Sequence, residues 1–152
     1  MRIFKTALLL ACTTIMFMAC ENGNNNELPN NPVESACYKG TMHVDQNDGT
    51  IFTQEEVEVD FELYDETKLN FVMYKVKFAT GMPLKLDMVV EGVSYTKTEG
   101  TYILSGNGIV PYAMGGAFEK YTITELVGAI TNNTMTLSFK CGEYPVTYEG
   151  RK

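Results

Sequence analysis

From residue 56 to residue 63, apolar and acidic side chains alternate without a break. Val57, Val59, Phe61 and Leu63 fall on one side, and Glu56, Glu58, Asp60 and Glu62 on the other. Successive side chains of a strand point to opposite faces, so this pattern predicts a strand with one face in a core and one in water. Residues 134–141 repeat it, with Met135, Leu137, Phe139 and Cys141 inward; residues 84–91 do so through Leu84, Leu86, Met88 and Val90. Less regular strands are expected over 38–45, 68–78, 101–110, 121–130 and 144–150. The phase slips between Met73 and Tyr74 and again near Glu125, as a β-bulge would produce where a sheet curves. Turn residues punctuate these runs: Asn47-Asp48-Gly49, Asp65-Glu66-Thr67, Gly81-Met82-Pro83, Glu99-Gly100, Asn132-Asn133 and Gly142-Glu143. Asp-Gly and Asn-Asn pairs favour the positive φ angles of hairpins. Residues 112–119, with Gly115-Gly116, read as a looser connection, and Ser105-Gly106-Asn107-Gly108 as a strand interruption. Strands joined mostly by hairpins form a meander, and a meander with one apolar face per strand buries that face by closing on itself, which also removes its edges. The expected fold is all-β: a single eight-stranded antiparallel up-and-down β-barrel over residues 36–152, with a two-sheet sandwich as the alternative.

The first twenty residues follow a different rule. Arg2 and Lys5 precede an apolar run from Ala7 to Met18, then Ala19 and Cys20. A basic start, a short apolar stretch and a small residue at the junction describe a secretory signal, too short for a spanning helix. A small residue directly before a cysteine resembles the lipobox of bacterial lipoproteins, although Phe17 stands where that motif usually carries an aliphatic residue. The resemblance implies cleavage before Cys20, lipidation of its thiol and amine, and a place on the outer membrane of a bacterial envelope. Residues 1–19 are thus the expected signal peptide and 20–35 a tether. Glu21–Ser35 is rich in Asn with Pro29 and Pro32, forms no apolar face, and could reach on the order of 50 Å when extended.

Losing Arg2 and Lys5 with the signal moves the formal charge from −7 to −9. Nucleic-acid binding needs a concentrated basic surface, which this chain lacks. An anionic surface also disfavours docking of side chains on anionic lipid, leaving acyl chains at Cys20 as the membrane link. Cys37 and Cys141 remain in the domain. In a closed meander they lie at opposite mouths, about one strand length (~26 Å for eight residues) apart, beyond the ~7 Å limit of a disulfide. Both are expected to stay as thiols, with Cys141 buried.

Phe78-Ala79-Thr80-Gly81-Met82-Pro83-Leu84, Val89-Val90-Glu91-Gly92-Val93, the start at Gly100-Thr101-Tyr102, the turn at 128–133 and the closing Pro145-Val146-Thr147-Tyr148-Glu149-Gly150 together resemble the calycin-like, lipocalin-like β-barrel domains of Gram-negative envelope lipoproteins. The resemblance spans residues 36–151 and implies the barrel fold. It departs from true lipocalins at Ala36-Cys37-Tyr38, where those proteins carry Gly-x-Trp, so no lipocalin ligand carries over.

Candidate chemistry is sparse. His43 is the one histidine and has no neighbours at metal-ligand spacing. No Gly-x-Ser-x-Gly or phosphate-binding loop is present. The acids Glu55, Glu56, Glu58, Asp60, Glu62, Asp65 and Glu66 line one outer strand face without a cleft, and read as a solvated surface. No catalytic residue, metal or cofactor is expected, and the chain reads as a monomeric non-enzyme. The inward set offers the candidate site: Phe61, Leu63, Phe71, Met73, Met88, Tyr102, Leu137 and Phe139, joined by Met135 and Tyr148. An eight-stranded barrel is either just filled by such side chains or holds one small ligand. The expected function is binding of a small apolar or amphipathic ligand inside the barrel. The alternative is a surface interaction module, a filled barrel contacting a protein or glycan through its loops.

Overall fold

The computed structural model describes residues 32–152 apart from residue 65. The expected signal peptide, the lipidation site Cys20, most of the tether and Asp65 lie outside the described residues. Ten strands follow: β1 (Glu34–Asp45), β2 (Ile51–Leu63), β3 (Lys68–Val76), β4 (Leu86–Thr98), β5 (Thr101–Gly106), β6 (Tyr112–Ala113), β7 (Gly116–Ala117), β8 (Ile123–Ile130), β9 (Thr134–Cys141) and β10 (Tyr144–Arg151). A single 3-10 turn, Glu119–Tyr121, precedes β8. β1 begins inside the stretch expected to be tether.

Eight of these strands are the staves of one closed antiparallel barrel, in the order β1-β2-β3-β4-β5-β8-β9-β10, with β10 returning to β1 and β3–β4 closing the sheet. The connections run up and down, as the alternation required. β6 and β7 form a small hairpin laid beside β4, Ala113 opposite Met88 and Tyr112 opposite Val89. Its turn residues Met114 and Gly115 both have positive φ, 54° and 82°, the signature of a tight hairpin. This hairpin lies within residues 112–119, expected as a looser connection.

Four bulges bend the staves. Glu56, Lys75 and Glu125 adopt φ of 60°, 53° and 54°, and Gly92 one of 72°; each sits where the register of a strand pair jumps. Those at Lys75 and Glu125 fall where the alternation was expected to slip; those at Glu56 and Gly92 were not anticipated, because the expected strands began at 56 and ended at 91. A bulge strands an N–H outside the ladder, and side chains accept three of these. Lys75 N–H donates to Asp87 Oδ1 (2.9 Å), Gly92 N–H to Asn70 Oδ1 (2.9 Å) and Glu125 N–H to Asn107 Oδ1 (3.2 Å).

One correction concerns the fourth expected strand. Leu84 was expected inward, but β4 starts only at Leu86 and Leu84 is exposed. The loop ahead of it supplies Phe78 to the core instead, with Phe78 N–H on the Met82 sulfur at 3.2 Å.

Candidate functional site

The eight residues expected to face a ligand, Phe61, Leu63, Phe71, Met73, Met88, Tyr102, Leu137 and Phe139, are all buried in the barrel interior. Period-two alternation aims them there, and the closed sheet makes the faces converge. Rings meet across the barrel. Phe71 on β3 and Phe139 on β9 come from opposite walls, with centroids 6.4 Å apart. Phe61 on β2 and Tyr102 on β5 are 5.1 Å apart. The Tyr148 hydroxyl, its proton shared, lies 3.0 and 3.1 Å from the carbonyl oxygens of Tyr38 and Val57. Burial pushes that phenol above its ordinary range, so it stays a neutral donor.

The two mouths differ. At the proximal mouth, where β1 begins, Glu34 reaches to β5. The Tyr102 hydroxyl donates to the Glu34 carboxylate and accepts from Lys97 Nζ (2.6 Å), which lies 3.6 Å from Glu34 and 4.4 Å above the Tyr102 ring. Tyr38 OH donates to the carbonyl of Thr131 (2.7 Å). At the distal mouth the longer loops gather. Two glutamines strap the β3–β4 loop down. Gln46 donates to the Phe78 carbonyl (3.3 Å) and accepts from Thr80 N–H (3.0 Å). Gln54, the one buried polar side chain among the described residues, donates to the Lys75 carbonyl (3.3 Å) and accepts from Lys77 N–H (2.7 Å). Beneath the strap, Phe78 and Phe118 flank Tyr121 at 5.9 and 4.8 Å. Outside it stand exposed apolar side chains, Met114 at 76%, Leu84 at 61%, Ile51 at 57%, Tyr112 at 52% and Val110 at 40%; Val33 before β1, Ile103 on β5 and Val127 on β8 are exposed as well.

On the outer wall, the acidic face of β2 has more partners than its sequence suggested. Lys39 of β1 pairs with Glu56 (2.7 Å) and Glu58 (3.9 Å). Tyr74 OH donates to Asp60 (2.8 Å) and Tyr64 OH to Glu62 (2.9 Å). Burial first, and the bonded carboxylate second, push the Tyr64 phenol up to about 12. His43 is exposed on the outer face of β1, Nδ1 at 2.9 Å from Thr53 Oγ1. Among the described residues no cluster of three His, Cys, Asp or Glu is placed to hold a metal. A groove of about 380 Å³ crosses β1, β10 and β9 on this wall, lined by Thr41, His43, Thr136, Glu149 and Arg151 among others. Sequence reasoning missed it, because its members are scattered over three strands that only closure brings side by side.

The two thiols are not joined. Cys37 sits at the proximal end of β1, and Cys141 lies at the distal end of β9, opposite Tyr144, with its Sγ 3.6 Å from the Tyr121 carbonyl. Burial pushes the Cys141 thiol well above its usual value, which suppresses the reactive thiolate.

These features define a closed eight-stranded antiparallel barrel with strapped ends. Compared with protein-family models, curated proteins and solved structures, the chain has no match.

Proposed function

We propose that the protein is a non-enzymatic lipoprotein of the bacterial envelope, anchored through Cys20, whose calycin-like barrel acts as a rigid spacer presenting a contact surface at its distal mouth. The observation that carries this reading is the position of the exposed apolar side chains. Of the eight exposed large apolar side chains among the described residues, five (Met114, Leu84, Ile51, Tyr112 and Val110) gather on the loops and strand ends at the mouth opposite the start of β1, while Val33 lies beside that start and Ile103 and Val127 stand on β5 and β8. A tether leading into β1 holds the proximal mouth toward the membrane and turns these residues outward. Met and Tyr are enriched at interface cores, and exposed apolar clusters mark contact sites. Rings meeting across the interior favour this role over ligand capture, which would need Phe71 or Phe139 to swing aside.

The test places a photo-crosslinking residue at Met114 in the producing cells, with Thr98 at the proximal β4–β5 turn as control. A discrete adduct from position 114 and none from position 98 is expected. Equal labelling from both positions, or saturable uptake of a fluorescent fatty acid blocked by Leu137→Trp, would reject the contact reading in favour of capture.

A further inference from the structure

The groove on the outer wall has a chemistry of its own, independent of the distal loops. Outward side chains of three adjacent staves form a grid there. Glu149 is at the centre, with Thr41 of β1 opposite it on one side and Thr136 of β9 on the other. Along β10, Arg151 and Thr147 flank Glu149 on the same face, and His43 lies opposite Thr147. His43 Nδ1 lies 2.9 Å from Thr53 Oγ1 of β2. Glu149, Arg151, Thr41 and Thr136 have no side-chain hydrogen bond or ion pair among the described residues. The backbones are drawn together beneath them. A Cβ at Gly40 would meet the Glu149 carbonyl oxygen at 1.9 Å, so only glycine allows that approach.

We propose that this groove binds a neutral saccharide. The lining excludes the other classes. A central carboxylate repels phosphate, sulfate and carboxylate ligands. A single carboxylate beside a guanidinium and an imidazole is a poor cation site, because hard cations want several oxygen ligands. Threonine hydroxyls and charged groups share the lining with Met135 and Gly150, and a purely apolar ligand would leave those polar groups without partners. A sugar hydroxyl both donates and accepts, and so matches a carboxylate acceptor, a planar guanidinium donor and two threonine hydroxyls set on a rigid wall. A volume of about 380 Å³ lies in the range of small-molecule sites. No Phe or Tyr ring lines the groove to stack on a sugar face, so the affinity is modest, with a dissociation constant on the order of 1 mM.

The experiment titrates the ¹⁵N-labelled full-length protein in detergent micelles with maltotriose and, separately, with N,N′,N″-triacetylchitotriose, following backbone amides. Saturable shifts at Thr41, Glu149 and Arg151 with at least one trisaccharide are expected. Glu149→Gln should weaken binding about tenfold, the loss of one charge-assisted bond, while the melting temperature stays put. Arg151→Lys, which keeps the charge but not the planar fork, should weaken it as well. Absence of saturable shifts up to about 20 mM of either sugar, well above a 1 mM constant, would overturn the proposal. So would unchanged affinity in Glu149→Gln, or displacement of the sugar by inorganic phosphate.

Discussion

Replacing Phe71 by Ala tests whether the barrel is filled, and with it the choice between contact and capture. Phe71 has no exposed surface and its ring faces Phe139 from the opposite wall at 6.4 Å. In a packed interior, truncating a Phe removes its transfer free energy and leaves a void whose lining has lost its contacts, about 3–5 kcal/mol in all. With a urea slope of about 2 kcal/mol/M for a small domain, the unfolding midpoint falls by about 2 M and the slope stays constant. Far-UV circular dichroism suits the assay, since the chain has no Trp. Phe139→Ala should cost a similar amount. The double variant should lose less than the sum by about 0.5–1.5 kcal/mol, the coupling of an aromatic pair. A side chain lining an open hollow is already partly solvated and gives up less. A loss under about 1 kcal/mol at both positions, with no coupling, would refute the filled interior and restore ligand capture.

Three further outcomes are expected. Burial raises the Cys141 thiol from 9.0, and raises the Tyr148 and Tyr74 phenols from 10.0. The unfolded chain therefore sheds these protons first, and their contribution is whole below pH 9 and lost as pH rises beyond it; urea midpoints should hold from pH 7 to 9 and then fall, with Cys141→Ala delaying the fall, and a midpoint rising above pH 9 would contradict the burial. Gly92→Ala should destabilise by about 1–2 kcal/mol, because φ of 72° penalises any Cβ although nothing stands within 4 Å of it; an unchanged midpoint would mean that the bulge is not held in that conformation. Cys20→Ser should release the protein from membranes or leave it unprocessed, and mass spectrometry finding an unmodified mature N-terminus would end the lipoprotein reading.

Residues 134–141 show how far the pattern alone carries. Their alternation predicted β9 to the residue, and the inward Leu137, Phe139 and Cys141 are buried. The slips at Met73–Tyr74 and Glu125 marked two bulges because an extra residue there switches which face the next apolar side chain occupies. The bulge at Gly92 was not anticipated, although the inward set passes from Leu86, Met88 and Val90 to Val93, three residues on; the expected strand stopped at residue 91, before the switch. Leu84 misled for the opposite reason: it keeps the alternation of the strand that follows, yet it lies in a loop whose course Phe78 and the Gln46 and Gln54 straps decide.

What the sequence determined by itself is local in origin: which faces are apolar, where turns fall and how many staves there are. Side-chain periodicity and turn chemistry are properties of neighbouring residues, so they can be read in one dimension. Only the tertiary structure decided that Phe71 meets Phe139 across the interior, that Glu34 fastens the proximal mouth through Tyr102 and Lys97, and that Thr41, Glu149 and Thr136 share one groove. Each joins residues far apart in the chain, and their distance is set by barrel closure and by the bulges that bend the staves, neither of which any single strand encodes.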